Sequence, residues 1–167
     1  SWYLLASIHN QETNFSQNVS KSSAGAIGHT QFMRCTWVGW GYSGCKGTKG
    51  DSFAVTDKVL MDNSIIKKFG GYGVDGNQDG KSDPWDLVDA VYSMANYLSS
   101  GISSVKNEKG NVESAAMKYN HSSVYAKEIS ARYFRYKEGW KGAVAEGSDV
   151  LSGKHQEGMW TSETYDG

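Results

Sequence analysis

Proline is nearly missing from this chain: Pro84 is the only one among 167 residues. Proline breaks a helix interior by removing an N–H and clashing with the preceding turn, so long helices are open to the chain on both sides of it. Charge of one sign is lacking too. Lys plus Arg total 17 and Asp plus Glu 18, a net charge of −1, which excludes a global electrostatic pull toward nucleic acid or an anionic membrane. No apolar run reaches the roughly 18 residues of a membrane-spanning helix, and no leader segment is visible. The chain starts inside a helical pattern, Trp2-Tyr3-Leu4-Leu5-Ala6, and so reads as a piece of a longer product whose targeting segment lies upstream. Internal repeats and sustained polar–apolar alternation are absent. A single, mostly α-helical domain is expected.

Cysteine is scarce, with only Cys35 and Cys45, close together in a Gly-rich segment. They form either a disulfide, implying an oxidising compartment, or two free thiols; no His or further Cys accompanies them to suggest zinc. Aromatics are plentiful at 13%, with six Trp and ten Tyr. They can fill a core or line a carbohydrate groove, and composition does not separate the two.

Helical spacing runs over residues 2–15 through Leu4, Ile8, Glu12 and Phe15. Residues 16–50 read as Ser/Gly/Thr-rich loops with one or two short helices. Residues 53–69 read as one amphipathic helix stopped by Gly70-Gly71. A strong stripe follows from Trp85 to Leu98. Gly110-Asn111 precedes a helix through Ala115, Ala116 and Met117, and Ser122 or Ser123 caps another from about Val124 to Lys137. The basic residues Lys127, Arg132, Arg135 and Lys137 of that helix are read as a solvated face. After Gly139 the periodicity fades, which divides the chain into a domain over 1–138 and a tail or linker over 139–167.

The stretch "VDGNQDGKSDPWD" (74–86) fits a roughly twelve-residue calcium loop. Asp75, Asn77, Asp79, Lys81 (through its carbonyl), Asp83 and Asp86 take the first, third, fifth, seventh, ninth and twelfth positions, and Gly80 takes the sharp turn at the sixth. A hard cation wants such oxygens, and without one the carboxylates repel at close range. Calcium is the expected ion, with sodium or water in its place at low calcium. The last position is Asp rather than Glu, so modest affinity is expected. A sensor pairs such loops; no second one occurs, so this loop is read as a fastener between the helix ending near Phe69 and the one starting at Trp85.

Glu12 shares a face with Leu4 and Ile8, near a helix C-terminus. An apolar face and the negative end of the helix dipole both disfavour its charge, and both push its pKa up. That is what a general acid needs near neutral pH. The bland reading is a solvated Glu at a helix end.

The segments Glu12-Thr13-Asn14-Phe15, Ser22-Ser23-Ala24-Gly25-Ala26-Ile27-Gly28-His29-Thr30-Gln31-Phe32-Met33 and Tyr119-Asn120, in that order, resemble the lytic murein transglycosylases and related lysozyme-like muramidases. The acidic loop followed by "DPWDLVDAVYSMANYL" is most similar to the membrane-bound B-type transglycosylases, which carry one calcium-type loop that also ends in Asp. The resemblance spans roughly residues 2–130. It departs from the pattern at His29-Thr30, where many members have Leu-Met or Tyr-Gly, and at Cys35, where Pro is common.

The resemblance implies a mainly α, lysozyme-like (goose-type/transglycosylase) domain with one EF-hand-like metal loop. It implies Glu12 as the single acid/base, with Thr13, Gln31, Tyr119 and Asn120 around it and the bound sugar; His29 and Tyr92 are further cleft-lining candidates. Bland alternatives are a back-bonding Thr13, a Gln31 strut, a core Tyr119 and an Asn120 turn cap. Trp37 and Trp40 stack on sugars or pack in the core.

The implied reaction is cleavage of the MurNAc-β-1,4-GlcNAc bond of peptidoglycan. No second carboxylate lies in the motifs, so substrate assistance by the N-acetyl group is expected in place of a carboxylate pair. Closure by the C6 hydroxyl leaves a 1,6-anhydro product, toward which the resemblance points; water leaves a reducing end. Rival readings are a non-catalytic wall-binding or assembly domain and a calcium-dependent adaptor. No organic cofactor is expected. The setting is extracytoplasmic or a phage or conjugation particle, with a fused wall peptidase or secretion, conjugation or phage machinery as partner.

Overall fold

The computed structural model describes residues 1–100 and 108–146. It contains seven α-helices among those residues: α1 Trp2–Thr13, α2 Arg34–Val38, α3 Asp57–Leu60, α4 Asn63–Phe69, α5 Leu87–Ser99, α6 Glu108–Tyr119 and α7 Ser123–Glu146. A 3-10 turn covers Ser43–Cys45. No strand occurs among the described residues; the single bridge pairs Ile27 with Phe32. None of these helices is long and apolar enough to cross a membrane.

α1 buries Leu4 and Ile8 and packs on α5, which buries Ala90, Met94 and Leu98. α2 packs on α3 and α4, and α6 on α5. α1 ends two residues earlier than its periodicity predicts, because Asn14, Phe15 and Ser16 all turn left-handed (φ 49°, 53° and 71°). Left-handed backbone costs about 1–2 kcal/mol per non-glycine residue, so surrounding contacts must hold this turn. The Thr13 hydroxyl is one of them, accepting the Ser16 N–H at 3.0 Å.

Three boundaries differ from the sequence reading. The expected helix over 53–69 is two short helices, because Asp62 takes the Ser64 and Ile65 N–H groups onto its side chain and starts a new helix. Gly70 then ends α4 in the left-handed region, as a stop glycine should. Gly110-Asn111 does not precede α6 but lies inside it. α7 starts at a true cap, with the Tyr125 N–H on Ser122 Oγ at 3.2 Å, and runs on past Gly139 to Glu146. One compact unit ends at Tyr133 and a second begins at Phe134. The remainder of the expected tail, residues 147–167, lies outside the described residues.

The solvated-face reading of α7 fails at Arg132. Its guanidinium donates to Gln11 Oε1 at 2.7 Å and to the Ser7 carbonyl at 3.3 Å, tying α7 to α1. Cys35 and Cys45 are joined, S–S 2.10 Å. Their bond closes the loop that carries Trp40. Trp37 is wholly buried and donates its indole N–H to the Leu60 carbonyl, whereas Trp40 is half exposed.

Candidate active site and acidic loop

Glu12 projects from the last turn of α1, one turn beyond buried Ile8. Its carboxylate accepts the Tyr125 phenol at 2.6 Å. Burial pushes the Glu12 pKa above its ordinary value, and the Tyr125 bond, which favours the charged form, only partly offsets this. Burial and the Glu12 charge in turn push the Tyr125 phenol far up, so it stays a donor. Sequence reasoning missed Tyr125. The available signal was its place six residues after Tyr119, on the inward face of α7 with Ala126 and Ile129.

Against the end of α1 lies a tight hairpin over residues 27–32, held there by the Thr13 hydroxyl on the His29 carbonyl. Reciprocal Ile27–Phe32 backbone bonds of 2.9 and 3.0 Å close it. Gly28 sits at φ +75°, where a Cβ would lie 2.1 Å from the Pro84 carbonyl, so only glycine permits this approach. The Tyr119 hydroxyl donates to the Thr30 carbonyl at 2.5 Å, and its ring meets Phe32 edge-on at 5.8 Å. Burial first, then the Glu12 charge, pushes the Tyr119 phenol well above its ordinary value. Tyr119 therefore feels the Glu12 charge while bracing the hairpin. Gln31 lies in that hairpin at φ 52°, its amide donating to the Gly28 and Ser20 carbonyls at 3.0 and 3.2 Å.

The remaining predicted residues separate into different roles. Thr13 is buried, with its hydroxyl donating to the His29 carbonyl at 2.7 Å, so it holds the hairpin against α1 rather than facing a ligand. Asn120 is exposed in the turn between α6 and α7. His29 points to Ser16 Oγ and the Trp85 carbonyl, not to Glu12. Tyr92 is exposed on α5 and covers Gly76 of the acidic loop, where an added Cβ would meet its ring at 2.8 Å.

In the acidic loop, carboxylate oxygens of Asp75, Asp79 and Asp89 lie within 4.8 Å of one another. Asp86 is not in this group. It caps α5, accepting the Asp89 N–H at 3.0 Å, and Asp83 similarly accepts the Trp85 N–H at 2.8 Å. The third carboxylate is Asp89, one helical turn later and fully buried, which accepts the N–H groups of Gly76, Asn77 and Asp83. The last position of the spacing template is displaced because the helix begins after Asp86, whose side chain serves as its cap. Asn77 Oδ1 accepts the Asp79 N–H, and the Lys81 N–H goes to Asp79. Two oxygens on opposite sides of a calcium ion stand up to about 5 Å apart, so the all-oxygen set suits a hard cation. Among the described residues no Lys or Arg pairs with these three acids.

Residues 65–104, which run from within α4 through the acidic loop and α5, match the family model described as the transglycosylase SLT domain. The match covers 40 of the 167 residues, and over that stretch the chain is similar to transglycosylase SLT domains. Neither the curated proteins nor the solved structures returned a match. The helical architecture agrees with a lysozyme-like SLT domain. Members of that family are lytic transglycosylases acting on peptidoglycan.

Proposed function

We propose that this chain cleaves the MurNAc-β-1,4-GlcNAc bond with Glu12 as its single acid/base. The observation that carries the reading is a half-buried carboxyl gripped by the Tyr125 phenol, with burial pushing its pKa up. Protonated Glu12 gives its proton to the glycosidic oxygen as the C1–O bond breaks. The N-acetyl oxygen of the muramic sugar closes on C1 and takes up the developing positive charge. Glu12, now a carboxylate, removes the proton from the C6 hydroxyl as that oxygen attacks C1 and expels the acetamido group. A 1,6-anhydro end results, and Glu12 is protonated again. Tyr125 stabilises the carboxylate form between the two proton transfers. Gln31 and Asn120 are assigned as contacts for the glycan. Among the described residues no basic group contacts the Glu12 carboxylate, which suits a group that must hold its proton.

The acidic loop is read as a structural calcium site, with sodium in its place at low calcium, held by Asp75, Asp79 and Asp89. A bound ion would neutralise those three carboxylates and would take no part in the bond cleavage. A fused wall peptidase, or conjugation or phage machinery, would supply delivery to the wall.

The test is clearing of a cell-wall suspension by wild type and Glu12→Gln. The variant should lose clearing yet stay folded. Because the folded pKa of Glu12 is raised, ionising it destabilises the fold as pH climbs from the unfolded value of about 4.5 through the folded one. Glu12→Gln removes that penalty, so it should melt higher than wild type at pH 8 and similarly at pH 4. Equal clearing by the two proteins sinks the assignment. Mass spectrometry of the released fragments reads the product: ends heavier by one water mean hydrolysis.

A further inference from the structure

One cluster near the site plays no part in the chemistry above. Ser16 Oγ lies 2.7 Å from His9 Nε2 and 2.7 Å from His29 Nδ1, and His29 Nε2 lies 2.9 Å from the Trp85 carbonyl. His9 is buried on α1, one turn before Thr13, its ring edge against Phe15 and 6.5 Å from His29. Ser16 reaches the midpoint only because it belongs to the left-handed turn, at φ 71°.

The partners fix the proton positions. A carbonyl oxygen only accepts, so His29 Nε2 must carry hydrogen. With that one proton on the ring, Nδ1 is bare and takes the Ser16 O–H. The Ser16 oxygen in turn accepts from His9 Nε2–H. The chain therefore runs one way, from His9 through Ser16 and His29 to the Trp85 carbonyl. It joins three pieces: α1, which carries Glu12; the hairpin, which carries Gln31; and the acidic-loop segment before α5. Two further contacts make the same junction: the Thr13 hydroxyl on the His29 carbonyl, and the His29 N–H on the Pro84 carbonyl at 3.3 Å.

We propose that Ser16 is a positioning residue for glycan cleavage, holding the Gln31 hairpin in register with Glu12 through a one-way hydrogen-bond relay between His9 and His29. Its consequence for rate rests on the function proposed above; the relay itself does not. A serine between two imidazoles gives a short link whose direction is set at one end by a backbone carbonyl. That makes the hairpin's seat on α1 specific rather than merely packed.

The relay is read in the wild-type chain by nitrogen-15 NMR of the imidazoles at pH 7.5. His9 and His29 should both be Nε2–H tautomers, with His29 Nδ1 shifted by an accepted hydrogen bond. Ser16→Ala should return that Nδ1 to the unbonded shift and speed amide exchange at Ile27 and Phe32. It should also lower kcat at least about tenfold with KM within about twofold, the pattern of lost positioning rather than lost binding. If Ser16→Ala does not fold, His9→Gln, which keeps an N–H donor, should retain the rate, and His9→Leu should lose it. An Nδ1–H tautomer of His29 in wild type overturns the relay, and so does wild-type kcat in Ser16→Ala or His9→Leu. Wild type that shows the expected tautomers yet never cleaves glycan overturns the proposed function and confines Ser16 to seating the hairpin.

Discussion

Replacing Tyr125 with Phe removes one oxygen and leaves the buried ring in place. The lost contact is a 2.6 Å bond from a neutral donor to the Glu12 carboxylate. Hydrogen bonds to charged groups contribute about 1.5–3 kcal/mol. At about 1.36 kcal/mol per pKa unit, the Glu12 pKa should rise by about 1–2 units, adding to the upward push of burial. The sign matters for stability. Glu12 already binds its proton more tightly folded than unfolded, so stability falls as pH rises above the unfolded value near 4.5. Tyr125→Phe steepens that fall, and its stability deficit should be larger at pH 8 than at pH 4. Carbon-13 NMR of the Glu12 carboxyl reads the pKa directly. The alkaline limb of the pH–rate profile should move by the same amount, since the first step needs protonated Glu12. The rate at the optimum should fall about tenfold, because a shift of about 1.4 kcal/mol in the carboxylate's stabilisation is a factor of ten. A Glu12 pKa within about 0.3 units of wild type in the variant would refute the reasoning, since it would mean that Tyr125 does not favour the ionised carboxylate.

Three backbone N–H groups converge on Asp89, so Asp89→Ala should destabilise by about 3 kcal/mol or more, against about 1 kcal/mol for loss of the Asp86 cap; urea unfolding of the two variants checks the order. Calcium added to wild type should raise its melting temperature and should not raise that of Asp89→Ala. Replacing Cys35 and Cys45 together by Ser opens a short loop closed across a separation of 10 residues and should cost about 3 kcal/mol, measured by the same unfolding. The double variant should keep its activity at low temperature, because the bond lies in the Trp40 loop rather than at Glu12.

The helical class and the positions of α1 and α5 are legible because their apolar residues recur at the helix period. The breaks are less so. Asp62 divides a continuous amphipathic pattern because its side chain serves two N–H groups at once, a local choice that periodicity averages away. The end of α1 is hidden for the opposite reason. Nothing in Asn14-Phe15-Ser16 demands three left-handed residues; the hairpin contacts through Thr13 and Ser16 impose them.

The site shows the same division between what a motif states and what the fold decides. Glu12 is visible from sequence because a carboxylate on an apolar stripe is a local anomaly. Tyr125 is not, because an inward Tyr on an amphipathic helix looks like core until α7 is placed beside α1, and Arg132 makes that placement with bonds to Ser7 and Gln11. Asp86 and Asp89 sit on one helix start, and counting along a twelve-residue template favours the first. The helix N-terminus takes the Asp86 side chain and leaves Asp89 to gather the loop. His29 follows that logic furthest. From sequence it is a candidate for lining the cleft, yet both its nitrogens are engaged within the protein. A substitution at His29 should therefore act on hairpin placement before it acts on which glycan is chosen.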